Sequence, residues 1–216
     1  MKKFYSSLVA LCLILAGGMM MVSCDEDMED AIDLSGEWYG DMGMFIDLDG
    51  NPDTTDDIFD AYKTWIAFHQ DDEFATYGWG EQVDFFDDGP YYRQNLYFNW
   101  RIRNQVLELT YPYNPGLDVR IRDYRFYDSR TTLRFTINNE YKCELYKLYD
   151  DQDNWYYINH YDHLDFNKYD YYYYYKRPNY SYTKSRDGKT ESVEIKPENV
   201  KSGRDFSKFE RINAVK

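Results

Sequence analysis

Cysteine is scarce, with three in 216 residues, and the contexts of the three exclude a disulfide framework. Cys12 lies inside an apolar leader, Cys24 closes that leader, and Cys143 sits in a strand-like run, so the folded body holds one thiol at most. Such a lone cysteine reads as a small buried strand residue. Histidine is equally thin. His160 and His163, flanked by Asp162 and Asp165, have a zinc-like spacing only on a helix, and the Tyr and Asn around them favour strand or loop, with no third ligand evident. His69 has no serine or cysteine nucleophile motif to serve, and no Gly-rich phosphate loop occurs anywhere. Carboxylates are so abundant, at 39, that chance pairs are guaranteed and a glycosidase pair carries no signal. The expectation is a protein that is not an enzyme and needs no cofactor. Positive charge is also short: 25 basic residues leave a net charge of -14, which argues against nucleic acid or an anionic membrane surface as partner. Leu, Ile and Val are sparse, and helical periodicity is absent almost throughout.

What is present is aromatic. Phe, Trp and Tyr make up 20% of the chain, 25 of them Tyr, a composition suited to strands whose large half-polar side chains face either a core or water. Ahead of them, Met1-Lys2-Lys3 and the apolar run Leu8 to Ala16 form the basic and hydrophobic regions of an export signal, too short for a membrane span. The following Met21-Val22-Ser23-Cys24 resembles the lipobox of bacterial lipoproteins, although Met21 stands where Leu is commoner. That resemblance implies cleavage after Ser23, acylation of Cys24 and a membrane partner reached through the lipid. Loss of Lys2 and Lys3 with residues 1–23 takes the formal charge from -14 to -16. The like-charge run Asp25 to Asp30 reads as an extended spacer, making 24–33 an acidic tether. An acidic cluster after the lipidated Cys resembles the surface-export signal of Bacteroidota lipoproteins, implying an outer-membrane protein on the cell surface; a solvated tether in the periplasm is the alternative.

Residues 34–148 alternate apolar and polar positions. Tyr62, Thr64, Ile66 and Phe68 fall on one face, with Lys63, Trp65, Ala67 and His69 on the other. Leu96, Phe98, Trp100 and Ile102 oppose Tyr97, Asn99, Arg101 and Arg103. Asp87-Asp88-Gly89-Pro90, Asn104-Gln105, Asp128-Ser129-Arg130 and Asn138-Asn139 supply the turns, and Val119 to Tyr127 reads as one strand. About eight strands at short spacing predict an all-β fold, an antiparallel meander closed as a small barrel, with a β-sandwich as the competitor. The first strand, from Ile32 to about Asp47, is broken by Gly36, Gly40 and Gly43, and carries Leu34, Gly36 and Trp38 in a Leu-x-Gly-x-Trp pattern. This resembles the lipocalin-like (calycin) domains of Bacteroidota lipoproteins, in which the Trp packs across the closed end of the barrel. The resemblance leaves the last third of the chain unmatched.

Asp47, Asp49, Asn51 and Asp53 have the spacing that opens a Ca²⁺-binding loop, but Pro52 and Ile58 stand where the turn glycine and the bidentate Glu belong. An acidic turn is the competing reading. Residues 149–183 form a Tyr-rich extension including Tyr171, Tyr172, Tyr173, Tyr174 and Tyr175, which reads as an extra strand packed on the domain, an exposed ribbon, or disorder. Residues 184–216 are a basic tail, disordered or a short helix carrying Phe206, Phe209 and Ile212. Lys176 to Lys216 has net charge +5 against -21 for Cys24 to Tyr175, so the tail is a candidate to fold back on the body. The functional expectation is a lipid-anchored binding protein whose barrel takes a small apolar or amphipathic ligand lined by Trp38, Trp65, Trp79 and Trp100. The alternatives are a surface module that binds glycans or an envelope protein through exposed aromatics, and a structural role without a small ligand.

Overall fold

The structure is a computed structural model, and it describes residues 26–48, 58–137, 141–148, 172–176, 183–186, 189–192 and 200–204. It is built almost wholly of strands: β1 (Gly36–Asp41), β2 (Met44–Asp47), β3 (Ile58–Gln70), β4 (Tyr77–Phe86), β5 (Tyr91–Ile102), β6 (Leu107–Thr110), β7 (Val119–Ile121), β8 (Arg125–Tyr127), β9 (Thr132–Ile137), β10 (Tyr141–Leu148), β11 (Tyr172–Lys176), β12 (Thr183–Arg186), β13 (Lys189–Ser192) and β14 (Lys201–Arg204). Nine of them form one antiparallel path, β7-β6-β5-β4-β3-β1-β10-β9-β8, curled into a half-barrel. The predicted all-β, barrel-like architecture is therefore present, and a single continuous sheet replaces the two sheets of a sandwich. The seam is not between the first and last strands. β1 pairs both β3 and β10, so the sheet's two edges are β7 and β8, strands adjacent in sequence.

The core lies on the concave side. Leu96, Phe98, Trp100 and Ile102 are all buried there, while Asn99, Arg101 and Arg103 are exposed, as their alternation predicts. Two long runs divide. The run from Ile32 breaks at Met42-Gly43, where Gly43 has φ 64° and its N–H bonds Asp41 Oδ1 at 2.8 Å; β2 beyond it leaves β1 to pair β14 and the start of β3. The run 119–127 splits into β7 and β8. Tyr62 departs from the expected face because a bulge between Ala61 and Lys63 turns it outward.

The acidic stretch differs most from expectation. Residues 26–34 are helical (α1), not extended. Asp27, Ala31 and Leu34, at helical spacing, are buried against the end of the barrel. The like-charge repulsion expected of this run is offset because its carboxylates meet donors. Asp27 accepts the N–H groups of Asn104 (2.7 Å) and Gln105 (2.8 Å), Asp30 accepts the Tyr124 hydroxyl (2.6 Å), and Asp33 pairs with Arg130. Asn104 and Gln105 both have positive φ, which points their successive N–H groups the same way and makes that turn an anion seat.

The C-terminal third adds strands where it is described. β11 pairs β5, β12 pairs β13, and β14 pairs β2 with Lys201 opposite Asp47. Where the basic tail is described it is strand: β12 and β13 pair with each other, and 201–204 adds to β2, which offers an open row of backbone partners. Tyr171, Phe206, Phe209 and Ile212 lie outside the described residues, as do the side chains of Tyr172 to Tyr175.

One contact decides whether β4 can lie where it does. A Cβ built on Gly78 would stand 1.9 Å from the His69 carbonyl oxygen, and backbone cannot yield cheaply. Gly78→Ala is expected to lower stability by about 2 kcal/mol; an unchanged urea-unfolding midpoint would contradict this packing.

Candidate functional site

The four sequence-predicted tryptophans do not share a cavity. Trp38 and Trp100 face the concave side and are buried at 0% and 2% exposure. Trp38 sits under α1, its indole N–H donating to Leu34 O at 2.7 Å, with Lys147 Nζ 5.1 Å above its ring and also donating to Asp33 O. Trp100 donates to two strand carbonyls, Trp79 O (3.0 Å) and His69 O (3.2 Å), and its ring meets Phe68 edge-on. Both are core. Trp65 and Trp79 point to the convex side, where Trp65 is buried in a second cluster with Ala67, Val83 and Leu148 and donates to Glu37 Oε2.

Trp79 is different. It is 37% exposed and lies in a row of near-parallel rings: His69 stacks on it at 4.0 Å with 24° between planes, and Tyr97 follows at 6.2 Å and 18°. Cross-strand register builds the row, since His69 pairs Trp79 and Tyr97 pairs Glu81, the next outward residue of β4. Tyr77, 51% exposed, stands two residues before Trp79 on the same face of β4. Burial holds His69 below the ordinary imidazole range, so its ring is neutral near pH 7. Polar groups border the row. Asn99 accepts the Tyr97 hydroxyl at 3.2 Å, and Glu81 is raised above the usual carboxylate range by burial and then by Glu37. Apolar faces beside amide and carboxyl groups can stack on a ring and hydrogen-bond its hydroxyls. They carry no nucleophile with a base.

A second set of groups, not singled out in the sequence, lies inside the barrel. Asp84, fully buried, accepts Thr64 Oγ1 at 2.7 Å and Gln82 Nε2 at 2.9 and 3.0 Å. Gln82 Oε1 accepts the Tyr111 hydroxyl at 2.6 Å, which in turn accepts Arg204 Nη2 at 2.9 Å. Arg204 arrives on β14, lies 5.2 Å from the Tyr111 ring centroid and also donates to Leu117 O. Burial pushes Asp84 up to about 6 and Tyr111 up to about 12. The signal was in the sequence: Gln82, Asp84 and Gln94 occupy alternate positions of strands, but their neighbours on the opposite face of β4 are the more apolar set, which hid the inward direction.

At the α1 end, a cleft of about 360 Å³ is lined by Glu26, Glu29, Asp30, Gln105, Tyr124, Arg125 and Phe126. Of the calcium-loop residues, Asp47 ends β2 and is buried, while Asp49, Asn51 and Asp53 lie outside the described residues. Among the described residues no three His, Cys, Asp or Glu side chains gather as a metal site, and no helix is long and apolar enough to cross a membrane. Cys143 is a buried free thiol, pushed up to about 12 by burial. Compared with protein-family models, curated proteins and solved structures, the chain matches none of them.

Proposed function

We propose that this chain is a lipid-anchored envelope protein, acylated at Cys24 and displayed at the outer membrane, that binds neutral glycans through the convex face of its half-barrel. The observation that carries the reading is the near-parallel row His69, Trp79 and Tyr97. Sugar rings present C–H faces that pack on aromatic rings, and Asn99 with Glu81 stands beside the row to take hydroxyls. The formal charge of -16 that remains once residues 1–23, with Lys2 and Lys3, are removed disfavours acidic polysaccharides and leaves neutral ones. The interior tryptophans are packed against neighbours, so a lumen ligand has no comparable observation in its support. Barrel and bound partner are then on opposite sides of the sheet: the concave face holds the fold together and the convex face is left for recognition.

Titration of a panel of neutral and acidic oligosaccharides, followed by Trp fluorescence and calorimetry, tests this. At least one neutral oligosaccharide is expected to bind, and Trp79→Ala to weaken it about tenfold, equivalent to about 1.4 kcal/mol, while the unfolding midpoint stays put. Unchanged affinity in Trp79→Ala, or binding confined to acidic glycans, would refute the reading.

A further inference from the structure

The tether expected between anchor and domain is consumed by the fold. Helix α1 begins by residue 26, so only Asp25 separates it from Cys24, and the span from Cys24 to residue 26 is at most about 7 Å even when extended. The helix is itself fixed to one end of the barrel. Asp27 holds the 104–105 turn, Asp30 the Tyr124 hydroxyl, Asp33 the Arg130 guanidinium, and Leu34 O the Trp38 indole. Whatever Cys24 is attached to therefore lies beside this end and not beside the opposite one, which carries the 87–90 turn between β4 and β5.

The charges at this end fit that neighbour. Asp27, Asp30 and Asp33 are turned to donors of the barrel, while Glu26 and Glu29 stay exposed even though Glu26 accepts from Gln105 Nε2 and Glu29 lies 3.8 Å from Arg130 Nη2. Arg103, Arg122 and Arg125 are exposed on the adjoining turn, loop and strand, and Arg125 lines the same cleft as Glu26 and Glu29. The turn beside Arg103 also exposes Asp71, Asp72 and Glu73, so this end presents charges of both signs where the chain emerges, as a zwitterionic surface does.

We propose that the α1 end of the barrel is a docking face for a zwitterionic phospholipid surface. The guanidinium groups of Arg103, Arg122 and Arg125 meet headgroup phosphates, and the carboxylates of Glu26 and Glu29 meet headgroup ammonium groups. The proposal rests on the reading of Cys24 as acylated. It fixes the orientation of the domain, so that the 87–90 turn, with β2 and β14 near it, points away from the bilayer.

The test uses the full-length protein recovered from its own membranes and reconstituted into phosphatylethanolamine-containing vesicles that carry a headgroup quencher. Ser129→Cys, in the exposed turn at the α1 end, and Asp88→Cys, at the opposite end, are each labelled with a fluorophore, Cys143 being buried. Mass analysis of the N-terminal peptide first asks whether Cys24 carries lipid; its absence would overturn the anchor reading and the docking face with it. With lipid present, quenching at position 129 is expected to exceed that at position 88 by at least about threefold, and the contrast is expected to shrink in R103Q/R122Q/R125Q with the unfolding midpoint unchanged. Equal quenching at the two positions in the acylated protein would overturn the docking face while leaving the lipoprotein reading intact. A contrast that survives the triple arginine substitution would overturn the assignment of those side chains to the headgroups.

Discussion

Trp38→Ala is expected to cost about 3–5 kcal/mol of stability, enough to consume much of a domain's total. The indole is fully buried, packs at 6.2 Å from the Phe126 ring, supports Lys147 across its face, and satisfies the Leu34 carbonyl at the end of α1. Truncation would remove the packing and the hydrogen bond together. Because Leu34 O would then have no indole donor, the helix should loosen before the sheet does. Amide exchange at 26–34 is therefore expected to rise in Trp38→Phe, which keeps most of the volume and loses the N–H, with a smaller loss of about 1–2 kcal/mol. Urea unfolding and exchange measured on both variants separate the two contributions. A Trp38→Ala loss below about 1 kcal/mol would show that α1 and the barrel end are not packed through this residue.

The second large effect is on pH dependence. Asp84 has a folded value near 6 against 3.8 for an ordinary Asp carboxyl, burial being the main cause; Thr64, Gln82 and the Arg204 charge oppose the rise and Asp41 adds to it. A carboxyl raised on folding favours the protonated form of the native state. Its stabilisation is therefore whole below about pH 4, is lost as pH rises from about 4 to about 6, and stays lost above, the full change being about 3 kcal/mol. Asp84→Asn should abolish this component. Its absolute stability is a poor guide, because the new amide NH₂ would face the Gln82 donor, so the diagnostic is the slope. Other raised carboxyls, Asp30 and Glu81, titrate in both proteins and cancel in the difference. Urea unfolding at half-unit steps from pH 4 to 7 should give a wild-type minus variant difference that falls through that window. A flat difference would mean that Asp84 is ionised, or solvated, in the native protein.

How far the sequence was readable varies from strand to strand, for physical reasons. The second half of β5, Leu96 to Ile102, was legible residue by residue, because its inward positions are large and apolar and its outward positions carry polar groups. β4 was not. Its outward residues Tyr77, Trp79, Val83 and Phe85 look more like a core face than its inward residues Gly78, Gly80, Gln82 and Asp84. The inward glycines leave volume that cross-strand residues fill: the Phe98 ring stands 2.1 Å from where a Gly80 Cβ would be. The inward polar groups satisfy one another and Tyr111, so burial does not leave them without partners. Periodicity marks two faces but does not say which face the rest of the chain will cover. The row His69, Trp79 and Tyr97 was invisible for the same reason, since its members come from three strands and meet only through register. Trp79 was singled out in the sequence, but as the lining of a cavity on the other side of the sheet.

The acidic run shows the same limit from the electrostatic side. A count of like charges predicts extension when water is the only partner, and here the partners were the amides of a turn some 77 residues away, a tyrosine hydroxyl and an arginine. No local rule supplies them. By itself the amino-acid sequence determined the strand class, most turns, the lone buried thiol and the scarcity of catalytic motifs, because these depend on composition and on neighbours along the chain. Tertiary structure alone decided that the sheet's seam lies between β7 and β8, that α1 and not a tether follows Cys24, that β14 brings Arg204 to the buried Asp84 network, and which face of β4 is the outside. Each of those depends on pairing between distant segments, where the free energy of burying a group is set by what it meets across the fold.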